Sequence, residues 1–265
     1  EDGISLHVTI LPPFWRTWWF KNLLFLGLIG AAAGGFFLFE RRQDMNMKLM
    51  EAEYQAGILG KEMELARQIQ TAILPKNVTH EELEIEAVML PAEEVGGDYY
   101  DVLYGQDGAL WLGIGVVSGH GVTPGLIMMM AQTVHTTITT QLDVTPQDVV
   151  NIVNKVLYQN VNQRLGEDHF MTFSTLKYLG NGDVTHAGAH LDFVVYRQHT
   201  QSCDLLDTPG TWLNLLPDIS HATENTSFHI DIGDILVLYT DGLTEAENAQ
   251  HELFDVKRLV ESVKR

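Results

Sequence analysis

The sequence predicts an α+β domain of layered sheets and helices, set behind one membrane-spanning helix. Three observations carry that expectation. A long uncharged run lies near the N-terminus, a period-two pattern recurs after residue 83, and two amphipathic helices sit grouped between strand candidates. Helices alternating singly with strands would instead read as a doubly wound parallel sheet.

Residues 3–10 alternate apolar and polar side chains like one half-buried strand, so residues 1–13 read as the end of an extracytoplasmic β domain. No initiator Met precedes them, and the helical pattern of 256–263 stops without a cap, so the chain reads as an internal fragment.

From Leu23 to Phe39 no charged residue occurs, which meets the short limit of the roughly 17–25 apolar residues that a membrane span needs. Trp15, Trp18, Trp19 and Phe20 supply an aromatic belt, and Lys21 can snorkel towards headgroups. A signal peptide fits less well, because neither the tryptophan-rich entry nor the Glu40-Arg41-Arg42 exit resembles a small-residue cleavage site. A buried helix of a soluble core is the plain alternative. The expectation is a transmembrane helix over 14–40. Arg41, Arg42 and Lys48 follow it while Arg16 and Lys21 precede it, a weak bias towards a cytoplasmic C-terminal side. Gly30 and Gly34, with Gly27, Ala31 and Gly35 beside them, would let a second copy of the span pack closely.

Residues 41–75 form a helical linker, with Met45, Leu49, Leu59, Met63, Ala66, Ile69 and Ile73 at helical spacings and Pro75 as its stop. It suits a signalling connector, either as half of a dimeric coiled coil or as a helix packed on its own domain. The second reading suits 65–74 better. Domain 76–265 follows. Its strand candidates are 83–87, 109–117, 169–179, 184–197, 227–230 and 235–239, with a hairpin turn at Gly180-Asn181-Gly182-Asp183 and another turn at Gly233-Asp234. The helices are expected over 124–142 and 146–165, the second burying Val149, Val150, Val153, Val156, Leu157 and Val161.

A formal net charge of −19 repels phosphate backbones and argues against nucleic acid as a partner. The single Cys203 excludes an intrachain disulfide and suits a reducing compartment.

Three acidic, glycine-rich motifs carry the chemistry: Val95-Gly96-Gly97-Asp98-Tyr99-Tyr100-Asp101, Val116-Val117-Ser118-Gly119-His120-Gly121, and Tyr239-Thr240-Asp241-Gly242-Leu243-Thr244-Glu245. The first and third read as a β-like run ending in a turn with aspartate beside glycine, the oxygen-rich half of a divalent-metal site. The second has an apolar Val116 where a third carboxylate is expected. His186 and His190 lie four apart on a strand and turn, where the helix-face logic of paired ligands fails. Ser118 near His120 lacks the nucleophile turn and third group of a serine hydrolase. Met128-Met129-Met130 reads as helix core.

Glu64-Leu-Ala-Arg67-Gln-Ile-Gln70 with Leu74-Pro75, then the three motifs in order, resemble the PPM-type metal-dependent serine/threonine phosphatases, in the SpoIIE/RsbU branch of bacterial sigma-factor regulators. Thr185-His-Ala-Gly-Ala-His190-Leu-Asp192 and Thr208-Pro-Gly-Thr-Trp212 read like the same branch, and residues 4–39 resemble the membrane entry of bacterial propeller-type sensors. The resemblance implies a four-layer α-β-β-α sandwich of two antiparallel sheets, with two Mn²⁺ or Mg²⁺ ions at one end. Asp98 and Asp241 would then be catalytic, metal-holding carboxylates and the Val117 backbone carbonyl a further ligand. Gly97, Ser118, Gly119, His120, Gly121 and Gly242 would shape the loops. Family members usually carry a metal-bridging aspartate at the place of Val116, and a further aspartate in a strand beyond residue 265. Two dications about 4 Å apart repel by roughly 17 kcal/mol at an effective dielectric near 20, so a shared anion matters. Valine cannot supply it, so one ion or weak binding is expected here.

The implied protein is a single-pass protein of the bacterial inner (plasma) membrane with a cytoplasmic phosphatase domain. It would act on a phosphoprotein such as an anti-sigma-factor antagonist. The alternative is a catalytically lapsed pseudophosphatase kept as a binding module.

Overall fold

A computed structural model describes residues 13–75, 78–90 and 95–264. The strand expected at 3–10 lies outside the described residues. The chain divides into two compact units, Glu1–Lys61 and Glu62–Arg265.

The division falls inside one helix, α1 (Trp18–Ala72). The apolar run and the linker pattern join in it without a break. Gly57 and Gly60 each cost about 1 kcal/mol relative to alanine but do not interrupt it. Gln70 is its one buried residue. Leu23, Phe25, Leu26, Phe36, Phe37 and Phe39 are all exposed. By length and composition α1 is able to cross a membrane.

The second unit is built on two antiparallel sheets. One contains β1 (Asp98–Tyr104), β2 (Leu110–Val117), β3 (Met171–Gly180), β4 (Asp183–Ala189) and β7 (Thr226–His229), in that spatial order. The other sets β5 (Phe193–Arg197) between β6 (Ser202–Leu206) and β8 (Ile235–Val237). Alternation along β2 shows how the layers stack. Trp111 and Val117 point into a cluster with Ile127, Met128 and Ala131 of α2 (Val122–Gln141) and with Val149, Val150 and Val153 of α3 (Pro146–Leu157). Leu110 and Ile114 point the other way, joining Leu176, Val184 and Phe193 with Leu236 and Leu238 between the sheets. Leu259 of α5 (Asp255–Val263) covers the far face of the second sheet, over Val194 and Tyr239. The layers are therefore α-β-β-α, as the resemblance implies.

Local chemistry sets the element ends. Thr145 caps α3 in a reciprocal capping box with Asp148, and Pro146 opens its first turn. The hairpin expected at Gly180–Asp183 joins β3 to β4, with Asn181 and Gly182 both at positive φ (52° and 87°), as a two-residue hairpin turn requires. Beyond Leu157, α3 widens into a π-helical stretch, Tyr158–Leu165, that ends at left-handed Gly166.

The structure corrects several expectations. Residues 83–87 form no strand, although Leu83 and Ile85 pack on the inter-sheet cluster, so their alternation reports one-sided burial rather than pairing. The strand expected over 184–197 is two strands in different sheets, parted at 190–192. The first motif does not end a strand: Asp98 begins β1. β8 stops at Val237 rather than at residue 239. β6 was not foreseen, because an exposed edge strand needs no apolar alternation.

A buried polar chain crosses from the first sheet to α2. The Tyr99 hydroxyl lies 2.7 Å from His135 Nδ1, and His135 Nε2 lies 2.9 Å from Thr175 Oγ1. Complete burial pushes the His135 pKa down to about 3, so the ring is neutral. Gly113 makes room for it, since a Cβ there would stand 2.8 Å from His135 Cε1.

Candidate active site

Register places Asp98 opposite Val116, and Val116 opposite Thr172, in one row across β1, β2 and β3. By the β2 alternation this row faces the second sheet. Near this row lie His190, in the crossover from β4 to β5, and Tyr239-Thr240-Asp241, just past β8 of the second sheet.

Hydrogen bonds tie the two sides together. His190 Nε2 lies 2.8 Å from the Tyr239 carbonyl, which only accepts, so Nε2 carries the proton and donates. His190 Nδ1, 2.9 Å from Thr172 Oγ1, then accepts from that hydroxyl. The same oxygen accepts from the Val116 amide at 3.0 Å. Thr240 Oγ1 donates to Asp98 Oδ2 at 3.1 Å. Two motifs 142 residues apart thus meet at one end of the sandwich.

Electrostatics report the same closeness. Burial raises the Asp98 pKa above the ordinary carboxylate value; the Thr240 hydrogen bond opposes the shift and the charge of Asp241 adds to it. Burial lowers the His190 pKa, partly offset by the Tyr239 carbonyl and by Asp241. Asp241 itself is exposed at the start of a four-residue helix, α4 (Asp241–Thr244), that also contains Gly242.

Gly97 answers a close approach. A Cβ there would lie 2.6 Å from the Val117 carbonyl oxygen, and the Gly97 carbonyl accepts from the Val117 amide at 3.0 Å. Ser118 is committed to structure. Its Oγ accepts from the Phe170 amide at 3.0 Å, its amide donates to the Phe170 carbonyl at 2.8 Å, and its carbonyl lies 2.7 Å from His169 Nδ1. Gly119 and Gly121 turn the loop at φ 85° and 91°, and exposed His120 stands between them.

Sequence reasoning gave no role to four contributors: Thr172, and His190, Thr240 and Gln70, which it met only inside longer motifs. His190 was visible as half of a pair with His186 and within the family-like stretch Thr185–Asp192, but not as a link between Thr172 and Tyr239. The structure separates the two histidines, because His186 is buried between the rings of Phe193 and Phe228, at 5.3 and 5.8 Å. Gln70, near the end of α1, donates to the Gly96 carbonyl at 2.6 Å and accepts from the Gly96 amide at 3.2 Å. The family-like stretch Glu64–Gln70 marks the residue, but not its bonds to Gly96, 26 positions away.

Register puts an isopropyl group opposite Asp98 where a bridging carboxylate would be needed. Among the described residues, no group of three or more His, Cys, Asp or Glu side chains is placed to hold a metal ion. The residues present therefore do not fit a bridged pair of dications.

Two helix-flanked antiparallel sheets with acidic turns meeting at one end define a PP2C-like phosphatase fold. The SiaA PP2C domain of Pseudomonas aeruginosa superposes with a TM-score of 0.60 at 19% identity, covering 79% of this chain and 82% of that one. The RsbU and RsbW domains of a Mycobacterium tuberculosis protein superpose with a TM-score of 0.52 at 21% identity, covering 66% and 47%. The family model for Stage II sporulation protein E (SpoIIE) matches residues 106–265, and the chain belongs to that family of PPM-type phosphatase domains. Among curated relatives, the phosphoserine phosphatase RsbU of Bacillus subtilis is 28% identical over 233 residues, covering 85% of this chain and 67% of RsbU. Protein IcfG of Synechocystis is 29% identical over 239 residues, which cover 81% of this chain and 37% of IcfG.

Proposed function

We propose that the chain is part of a membrane-anchored signalling protein whose cytoplasmic domain is a metal-dependent phosphoserine/phosphothreonine phosphatase. The observation that carries this reading is the Thr240–Asp98 hydrogen bond, which brings the first and third motifs together at the end of a SpoIIE-family sandwich. Asp98 and Asp241 are its catalytic carboxylates. With the Val117 carbonyl they suit one weakly held Mn²⁺ or Mg²⁺ rather than two. The names of RsbU and of the RsbU–RsbW domains support a phosphorylated regulatory partner, such as an anti-sigma-factor antagonist. The second reading, a lapsed phosphatase that still binds its partner, is favoured by Val116.

The test of activity is phosphate release from a phosphoserine peptide in the presence of Mn²⁺. Read in the Val116→Asp background, where turnover is large enough to measure, Asp98→Asn is expected to lower it on the order of a hundredfold. Release that Asp98→Asn leaves unchanged rules out this site.

For topology, the proposal is one span over 14–40 in the inner membrane, a linker over 41–75 and a cytoplasmic domain over 76–265. A cysteine introduced on the surface after residue 78 should resist a membrane-impermeant reagent in intact cells; ready labelling there places the domain outside. A second copy packed through the Gly30 and Gly34 face should make cysteines along 49–63 cross-link with helical periodicity. Uniform or absent cross-linking argues for a monomer.

A further inference from the structure

We propose that the stacked rings of Phe170 and Trp212 form a docking platform for a phosphoprotein substrate, with an apolar side chain next to the phosphoserine lying against the indole. The proposal rests on the phosphatase reading of the Asp98–Asp241 end and adds a recognition element to it.

The rings stack with centroids 4.8 Å apart and an interplanar angle of 15°. Trp212 is nevertheless 44% exposed, and Leu215 and Leu216 of the same segment are about half exposed. The position follows from strand alternation. Met171 and Leu213 are buried towards α2 and α3, so their neighbours Phe170 and Trp212 fall on the opposite side, the side of Thr172 and Val116. Two hydrogen bonds join Phe170 to Ser118, in the loop directly after Val117. The platform is thus continuous with the rim of the site.

The segment is held far more firmly than a surface loop requires. Met171 and Leu213 exchange backbone hydrogen bonds of 3.1 and 2.8 Å. Buried Asn154 accepts from the Asn214 amide at 2.8 Å and donates to the Leu216 carbonyl at 3.0 Å. Asn214, also buried and at φ 68°, donates to the His169 carbonyl at 2.6 Å. An exposed aromatic fixed in advance loses little entropy when a partner covers it, the property that makes tryptophan common among binding hot spots. Residues 166–171 and 208–220 carry Glu167, Asp168 and Asp218 but no Lys or Arg. A continuous anionic lipid surface would be repelled there, whereas a polypeptide can lay uncharged side chains on the rings and hold its single phosphate away from these carboxylates.

The test uses two fluorescently labelled phosphoserine nonapeptides of equal charge, one with Leu on both sides of the phosphoserine and one with Ser there. Anisotropy reads binding without needing turnover, and p-nitrophenyl phosphate hydrolysis reads the site alone. The Leu peptide is expected to bind about tenfold more tightly to the unaltered chain, the scale of one aromatic contact. Trp212→Ala should erase that margin and Trp212→Phe should keep most of it, with p-nitrophenyl phosphate hydrolysis unchanged by either. Equal binding of the peptides, no measurable binding of either, or a margin that survives Trp212→Ala overturns the proposal. Loss of binding to phosphatidylglycerol-containing vesicles in place of the peptide effect also overturns it, making the stack a membrane contact. Absent hydrolysis with the peptide margin intact counts against the phosphatase reading and leaves the platform standing.

Discussion

Val116→Asp is expected to raise both Mn²⁺ affinity and phosphoserine turnover, the turnover by about a hundredfold to a thousandfold. The argument starts from register. Val116 and Asp98 are directly paired across β1 and β2, so a carboxylate at 116 would stand beside that of Asp98 on the face towards Asp241. Directly opposed side chains in a sheet have Cβ atoms about 4.5–5.5 Å apart, close enough for two carboxylates to share a cation. The same closeness sets a second expectation. Without metal, the like charges should make the variant slightly less stable than the parent, by up to about 1 kcal/mol. With Mn²⁺ at a hundred times its dissociation constant, the variant should gain about 2.7 kcal/mol by mass action. Calorimetric titration and thermal melts with and without Mn²⁺ measure both effects. If the unaltered chain already binds two ions tightly and turns over like the variant, Val116 is harmless and the chain is an ordinary phosphatase. Restoration by Val116→Asp supports a lapsed enzyme kept for binding. If the variant binds no better than the parent, the metal assignment of Asp98, residue 116 and the Val117 carbonyl is wrong.

Much of the fold was legible because burial imposes period. The buried face of α3 and of the π-helical stretch after it is written in Val149, Val150, Val153, Leu157 and Val161, all fully buried, while Val156, expected with them, is half-buried. The β3–β4 turn was legible because only a few residues tolerate its positive φ, and Asn181-Gly182 supplies them. Where periodicity misled, the reason is physical. Leu83 and Ile85 alternate because one side of that stretch meets the core, yet no neighbouring strand offers a ladder. The 184–197 run reads as one strand because β4 and β5 both pass through buried layers, although polar His190 and Asp192 stand where the chain changes sheet at 190–192. At the site, Asp98 and Asp241 stood out because each carboxylate lies beside a glycine in a short acidic motif. Thr172, His190 and Thr240 did not, since their significance lies in hydrogen bonds between residues 18 to 142 positions apart.

Gln70→Ala is expected to lower phosphoserine turnover about tenfold, measured in the Val116→Asp background where turnover is large enough to read. Gln70 is 2% exposed, and its amide makes two opposed hydrogen bonds to the backbone of Gly96, two residues before Asp98. Space around the contact is tight: a Cβ on Gly125 would lie 2.3 Å from Val95 Cγ1 and 3.2 Å from Gln70 Nε2. The strand entering the site is thereby located from both sides, by the last turns of α1 and by the first turn of α2. Removing the amide leaves a Gly96 donor and acceptor to find water or go unpaired, at about 1–3 kcal/mol for each group that stays dry. The freed Gly96-Gly97 pair can then shift, and with it the Asp98 carboxylate. A misplacement of about 1 Å costs up to a hundredfold in a site that works by positioning. A purely structural role predicts a lower urea midpoint with unchanged kcat wherever the protein remains folded. A positioning role predicts a fall in kcat at full folding, which Gln70→Glu does not rescue, because a buried carboxylate accepts from the Gly96 amide but cannot donate to the Gly96 carbonyl. Unchanged kcat in Gln70→Ala, whatever happens to stability, removes the end of α1 from the working parts of the site.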